Sequence, residues 1–116
     1  VKFLGWRDDV TNLLCQSDLF LMTSLWEGFG LAAAEAMACG LPVVGSNVPG
    51  LNEVVGDESN CGILIDQTSA EDISNKLRYL AESGQERNRL SKNAVLRAMQ
   101  FDIKNTVFRY LFLYEK

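Results

Sequence analysis

Residues 19–44 read LFLMTSLWEGFGLAAAEAMACGLPVV and contain a complete strand–helix–strand unit. The apolar run at 19–22 is typical of a parallel strand that is covered on both faces. A loop at 24–30 leads into an alanine-rich helix at 31–39, which Gly40 ends. A second buried strand is predicted at 42–44, since proline is tolerated at the first position of a strand. A strand, a helix and a strand in this order favour a parallel sheet with helices packed on it.

The rest of the chain repeats this alternation and then becomes purely helical. Asp8 and Asp9 are expected to cap a brief helix that begins at Val10. Ser69 opens a capping box, and the helix that follows it is expected to end at Gly84. The other predicted elements are strands at 1–4 and 62–65 and helices at 51–55, 86–100 and 103–114. The predicted fold class is therefore α/β, a Rossmann-like parallel sheet flanked by helices, with a helical C-terminus.

The length of 116 residues and the composition indicate one compact domain and exclude several kinds of site. Hydrophobic residues make up 47% and charged residues 22%, which is typical of a globular domain and not of a disordered tail. Because histidine is absent, a Ser-His-Asp or Cys-His nucleophile, a histidine general base and an HExxH zinc site are all excluded. The net charge of −4 argues against nucleic acid as a partner.

The three cysteines, Cys15, Cys39 and Cys61, form no CxxC pair. Their odd number and wide spacing favour neither a disulfide framework nor a cysteine zinc site, and no metal site is predicted. Each lies among apolar or small residues, so we expect free, buried thiols. Free thiols favour a reducing, cytoplasmic compartment.

Glu35 is the only polar side chain between Leu31 and Cys39. A helix that is apolar on all sides is expected to be buried, and a buried carboxylate must be paired or hydrogen-bonded. Glu35 lies about one turn into the helix, near the end that faces the ligand crevice in an open α/β sheet. Two interpretations follow from the residues. The carboxylate binds a pair of ligand hydroxyls such as a ribose diol, or it forms an internal ion pair with an Arg or Lys.

The loop Gly28-Phe29-Gly30 lies directly before this helix. Two glycines allow a ligand to approach the backbone closely, and the start of a helix offers free N–H groups, which suits a diphosphate or a sugar oxygen. Glu27 adds a hydrogen-bond acceptor at the edge of the same crevice. The alternatives are a plain strand-to-helix turn and, for Glu27, a carboxylate that only satisfies the helix dipole.

A GxGxxA pattern through Gly28, Gly30 and Ala33 also suggests a nicotinamide-dependent oxidoreductase. Such enzymes need an acidic residue near the end of the next strand to bind the cofactor ribose. Here that strand ends in GSN at 45–47. The dinucleotide interpretation is therefore the weaker one.

The last predicted helix, at 103–114, carries two apolar stripes. One consists of Ile103, Val107, Leu111 and Tyr114, and the other of Phe108 and Phe112. Such a helix either packs between two bodies or faces the core of its own domain on both sides. A structural or protein-interaction domain would explain this helix but would leave Glu35 without a role.

The stretch from Glu27 through Glu35 to Val44 closely resembles the E-x7-E signature of family 4 glycosyltransferases. Four flanking segments agree with that family in content and spacing: FLGWRDDV at 3–10, SDLFL at 17–21, PGLNEVV at 49–55 and NCGILI at 60–65. The resemblance covers the chain almost end to end. It implies the GT-B architecture, in which two Rossmann-like domains enclose a cleft, and it makes residues 1–116 an incomplete C-terminal, nucleotide-sugar-binding domain.

The resemblance also implies a role for each residue of the candidate site. Glu27 matches the catalytic glutamate that holds a hydroxyl of the donor sugar, and Glu35 matches the glutamate that holds the ribose hydroxyls. The donor sugar and the diphosphate would be bound by Gly28, Phe29, Gly30 and Leu31. The nucleotide base would be bordered by Gly5, Trp6 and Arg7.

The reaction that the resemblance implies is transfer of a hexosyl group from a nucleoside-diphosphate sugar to an acceptor hydroxyl, with retained anomeric configuration and without a cofactor or metal. The phosphate-binding Arg and Lys of the family, and its N-terminal acceptor domain, would lie upstream of Val1. We therefore expect the chain to need that domain as its partner and to be inactive alone. A cytoplasmic location is expected, and peripheral association with the inner face of the membrane stays open. The alternatives are an epimerase or phosphorylase of the same architecture, or a module that binds nucleotide without catalysis.

Overall fold

A three-stranded parallel sheet is the centre of the fold in the part of the chain that the structure, a computed structural model, describes: residues 1–56 and 60–114. The strands are β1 (Phe20–Met22), β2 (Val43–Ser46) and β3 (Gly62–Ile65). The helices are α1 (Val10–Cys15), α2 (Leu31–Ala38), α3 (Leu51–Val55), α4 (Ala70–Glu82), α5 (Gly84–Met99) and α6 (Ile103–Tyr114). The predicted α/β class, with a parallel sheet flanked by helices, is confirmed.

The strand β2 lies between β1 and β3 and pairs with both in parallel. Phe20 of β1 lies opposite Val43, and Ile65 of β3 lies opposite Ser46. Because parallel neighbours must be joined by a crossover, α2 connects β1 to β2 and α3 connects β2 to β3. The carboxyl ends of the strands therefore meet at one edge of the sheet, and the loop after β1 and the turn after β2 both leave from that edge.

Both faces of β2 are buried because its side chains alternate between two apolar clusters. Val43 packs in the larger cluster with Met37 of α2 and Leu51 of α3. Val44 packs in the smaller cluster with Leu80 of α4. Helices therefore cover the sheet on both sides at its centre.

Two predictions for the outer side of the sheet are wrong. Residues 1–4 do not form a strand, and they are exposed. A strand is stabilised by hydrogen bonds to a neighbour, and over the described residues the sheet ends at β1. For the same reason β1 itself is not covered on both faces, and Leu21 is 41% exposed.

The start of α4 confirms Ser69 as the N-cap but not the full capping box, because the Asp72 carboxylate accepts a hydrogen bond from the Asp66 amide and not from that of Ser69. Ser69 Oγ accepts a hydrogen bond from the Asp72 amide at 3.1 Å. The end of α4 differs from the prediction, because Gly84 is the first residue of α5 and not a stop signal after α4. The cause is a second cap, in which Ser83 Oγ accepts a hydrogen bond from the Glu86 amide at 3.2 Å.

The helix α6 lies outside both apolar clusters, and every residue of it is exposed. Phe108 is 74% and Leu113 64% exposed. The alternative that both apolar stripes of α6 face the core of this domain is therefore wrong for this chain. Although α6 is apolar, no helix within residues 1–56 and 60–114 is long and apolar enough to cross a membrane.

The cysteines differ in exposure, and the prediction of three buried thiols is correct only for Cys61. Cys15, the last residue of α1, is exposed, and Cys39, directly after α2, is half-buried. Burial raises the pKa of the Cys39 thiol above its ordinary value. A side-chain interaction with Cys15 and the negative charge of Glu35 raise this pKa further.

We expect the thiols of the folded protein to react with iodoacetamide in the order of their exposure, Cys15 first and Cys61 only on unfolding. Since the thiolate is the nucleophile, the raised pKa of Cys39 should make its labelling rate continue to rise at a pH where an ordinary thiol has reached its full rate. Mass spectrometry of peptides labelled over a series of pH values measures these rates.

The control is Cys15→Ala, which removes one neighbour that raises the pKa of Cys39 and should move the midpoint of its labelling curve to lower pH. Faster labelling of Cys39 than of Cys15 at neutral pH would contradict the assignment.

Candidate functional site

The loop between β1 and α2 carries most of the predicted site residues. Gly30 is the N-cap of α2, and its φ of 87° lies in the left-handed region that favours glycine. Gly30 has no side chain to bond the first amides of α2, and the first turn of this helix contains no acidic residue. The amides at the start of α2, and the positive end of its dipole, are therefore available to an anion or a hydroxyl group.

Gly50, in the turn before α3, holds this loop in place. Its φ is 84°, and a Cβ added to it would lie 2.5 Å from the carbonyl oxygen of Glu27 and 2.7 Å from that of Gly28. The backbones of the turn and of the loop are therefore in direct contact, with no room for a side chain. A second contact lies beside it, since a Cβ added to Gly30 would lie 3.1 Å from Leu51 Cδ1. These contacts were not predicted from the sequence.

Glu27 is half-buried within the loop. Ser24 Oγ donates a hydrogen bond to Glu27 Oε1 at 2.8 Å. This bond orients the carboxylate through one of its two oxygens. Glu27 is not among the residues that line the pocket described below, and its role as an acceptor at the edge of the crevice stays a prediction.

Glu35 is exposed, and the prediction that it is buried is wrong. The buried residues of α2 are Ala33, Ala34, Ala36 and Met37, which face the larger apolar cluster. The opposite face, with Leu31, Glu35 and Ala38, is not covered by the described residues. The alternative, an internal ion pair of Glu35 with an Arg or Lys, is also wrong. In residues 1–56 and 60–114 the ion pairs are Arg7–Asp9 and Arg89–Glu86, and neither includes Glu35.

A pocket of about 420 Å³ lies on this open face of α2. It brings together Phe29, Leu31 and Glu35 of the predicted site. The rest of its lining is mostly apolar and comes from α2, α5 and the segment after α5: Ala34, Ala38, Val95, Ala98, Met99, Phe101 and Asp102. Two carboxylates on an apolar floor suit a neutral ligand with hydroxyl donors and repel a phosphate.

The predicted base-bordering residues do not line this pocket. Gly5, Trp6 and Arg7 are exposed, and Trp6 is 89% exposed. Arg7 donates two hydrogen bonds to the Asp9 carboxylate, from Nε at 2.6 Å and from Nη2 at 2.5 Å. These bonds lower the pKa of Asp9. The prediction that Asp8 and Asp9 cap α1 is wrong, because Asp9, the N-cap residue, makes no side-chain hydrogen bond to a helix amide.

Two residues near the site were not predicted, Arg97 of α5 and Phe101 after it. The ring of Phe101 contacts the ring of Phe29 in the loop, with centroids 5.3 Å apart. Arg97 lies over the ring of Phe101. The sequence shows an aromatic-rich segment from Phe101 onwards, but no local pattern pairs Phe101 with Phe29.

No group of three or more Cys, Asp and Glu side chains suited to hold a metal ion is found in the described ranges. The groups that the site residues offer to a bound molecule are thus carboxylates, backbone amides and apolar surfaces.

The chain matches the family model described as Glycosyl transferases group 1 over residues 1–97. It is 36% identical over 116 residues to N,N'-diacetylbacillosaminyl-diphospho-undecaprenol alpha-1,3-N-acetylgalactosaminyltransferase of Campylobacter jejuni, a match that covers 100% of this chain and 31% of that protein. The chain therefore spans about a third of the length of this curated relative.

Solved structures agree with this similarity. The crystal structure of Anabaena HepE in complex with UDP superposes with a TM-score of 0.84 and 31% identity, over 96% of this chain and 32% of that one. The complex of the same protein with UDP-glucose gives a TM-score of 0.81 and 30% identity, over 96% and 32% of the two chains.

We expect Gly50→Ala to destabilise the protein, because the new Cβ would strain a left-handed backbone and overlap the carbonyls of Glu27 and Gly28. The expected loss in the free energy of unfolding is about 1–3 kcal/mol. Urea denaturation followed by circular dichroism measures it.

The matched control is Gly28→Ala, since a Cβ added at Gly28 meets nothing within 4 Å. Its effect on stability should stay within about 0.5 kcal/mol. Equal losses in the free energy of unfolding from the two substitutions would show that the contact at Gly50 does not contribute to stability.

Proposed function

The chain belongs to the group 1 glycosyl transferases, and from this premise we propose that its whole protein transfers a hexosyl group from a nucleoside-diphosphate sugar to an acceptor hydroxyl. In this proposal the anomeric configuration is retained and no cofactor is required. Residues 1–116 form the main part of the C-terminal, donor-binding domain. The observation that carries the proposal is the similarity over nearly the full chain to HepE, which was crystallised with UDP and with UDP-glucose.

Glu35 is proposed to bind the ribose of the donor. Its carboxylate is exposed in a pocket whose floor is apolar, so it can accept hydrogen bonds from two neighbouring hydroxyls. The exposure of Glu35 supports this role better than the buried carboxylate that was expected, because an exposed carboxylate can be reached by ligand hydroxyls and needs no internal partner.

The loop Gly28-Phe29-Gly30 and Leu31 are proposed to bind the diphosphate and the donor sugar. The open amides at the start of α2 match the negative charge that develops on the diphosphate as it leaves. Glu27 is proposed as the catalytic residue, with its carboxylate held by Ser24 and directed to a hydroxyl of the donor sugar.

Gly5, Trp6 and Arg7 are proposed to border the base of the nucleotide. The exposed ring of Trp6 supports this role, since an aromatic ring can stack on a base. The guanidinium of Arg7 is paired with the Asp9 carboxylate. This part of the site lies outside the pocket at Glu35.

The acceptor is proposed to bind to an N-terminal domain. The Campylobacter jejuni relative is named for a diphospho-undecaprenol acceptor, so a lipid-linked acceptor is the first class to test. An enzyme that acts on such an acceptor at the inner face of the membrane would be cytoplasmic and peripheral.

We expect the whole protein to bind at least one of UDP-glucose, GDP-glucose and ADP-glucose, and Glu35→Gln to weaken that binding about ten- to a hundredfold. Loss of a charged hydrogen-bond acceptor produces a change of this size. Isothermal titration calorimetry measures the dissociation constants.

The matched control is Glu82→Gln, which neutralises an exposed carboxylate on α4 and should leave the affinity unchanged. The proposal fails if none of the three donors binds. It also fails for Glu35 if both variants bind like the wild type. Formation of a sugar 1-phosphate from inorganic phosphate would favour a phosphorylase, and formation of an epimeric sugar without transfer to any acceptor would favour an epimerase.

A further inference from the structure

The side chain of Phe29 has one aromatic contact that reaches across the fold. Its ring meets the ring of Phe101 edge to face, with centroids 5.3 Å apart and the planes at 86°. Edge-to-face pairs at this distance are favourable because the positive ring edge meets the negative ring face. Phe29 is itself 44% exposed, so this contact limits the directions in which its side chain can lie.

The loop needs such a contact because glycines flank Phe29 on both sides. A Cβ added to Gly28 would meet nothing within 4 Å, so the loop lies against Gly50 at its carbonyls but is open on this side. Glycine has the widest backbone freedom of all residues, and ordering it costs the most entropy. The ring of Phe29 is therefore the side chain through which the middle of the loop can be fixed.

Phe101 is itself held firmly. It packs partly buried against the larger apolar cluster. The guanidinium of Arg97 lies 4.9 Å from the centre of its ring, within the range of a cation–π interaction. Arg97 is in turn tied to the end of α3, where Nε donates to the Val54 carbonyl at 3.1 Å and Nη2 donates to the Glu53 carbonyl.

We propose that Phe101, held by Arg97, is a positioning residue that fixes Phe29 and thereby the backbone amides of residues 28–31 in the orientation that binds the donor. This inference rests on the proposed function, which gives those amides their ligand. Phe101 also lines the pocket at Glu35, and the role proposed for it is to hold Phe29 and not to take part in the transfer. Arg97 serves the same end, because its guanidinium contacts the ring of Phe101 and donates to the carbonyls of Glu53 and Val54 in α3.

The first test is hydrogen exchange of the whole protein without ligand, measured by mass spectrometry on peptides that cover residues 24–31. Phe101→Leu keeps apolar contact with the cluster but lacks a ring, and it should speed exchange of the loop amides about two- to tenfold. Exchange in α4 should not change. Phe101→Tyr keeps the ring and should behave like the wild type.

The matched control is Phe108→Leu, the same substitution at an exposed phenylalanine of α6, which should leave exchange at 24–31 unchanged. If Phe101→Leu does not fold, Arg97→Lys takes its place in the test and should also speed exchange at 24–31. Lysine keeps the positive charge but lacks the planar guanidinium that donates to two carbonyls. Unchanged exchange in the loop overturns the proposal. So does faster exchange in every element, which would mean that Phe101 serves only global stability.

The second test separates this proposal from the proposed function. With whichever of UDP-glucose, GDP-glucose or ADP-glucose the wild type binds, Phe101→Leu should raise the dissociation constant about two- to tenfold. Unchanged affinity with faster loop exchange overturns the positioning role while the proposed function stands. If the wild type binds no donor, the proposed function fails and the link to donor binding fails with it, whereas the exchange data still decide whether Phe101 orders the loop.

Discussion

The contact between the turn before α3 and the loop after β1 is the constraint on which the candidate site depends. Gly50 lies against the carbonyls of Glu27 and Gly28 so closely that only a hydrogen atom fits on its Cα. The two segments leave the carboxyl ends of the neighbouring strands β1 and β2, so the register of the parallel sheet brings them together. A shift of one residue in that register would move the loop away from the turn. The position of Glu27 is thus set by the sheet as well as by its bond to Ser24.

The parts of the fold with a local signal were predictable. The strand β2 begins with two β-branched residues after a proline, and α2 is an alanine-rich segment that ends two residues before a glycine. The cap at Ser69 was predictable because its partner amide belongs to Asp72, three residues later in sequence. The loop at 28–30 could be identified as a ligand-binding candidate for the same reason, since its glycines and the following helix are adjacent in the chain.

The parts that depend on distant neighbours were not predictable. Residues 1–4 have the composition of a strand, but a strand forms only where another strand lies beside it. Glu35 lies in an apolar helix, but its exposure depends on which side of α2 other elements cover. The contact between Phe29 and Phe101 joins residues far apart in sequence, and no local sequence pattern at either residue predicts it. In each case tertiary packing, and not local preference, decides the outcome.

The bonds from Arg97 to the end of α3 have a consequence for the order of events during synthesis. A ribosome produces the loop after β1 well before it produces Arg97 and Phe101, and domains generally complete their folding only when all their contacts have emerged. A nascent chain that ends before α5 therefore has the glycines and glutamates of the site without the ring that restrains Phe29. The loop after β1 would reach its final order late, when the segment at 97–101 has left the exit tunnel.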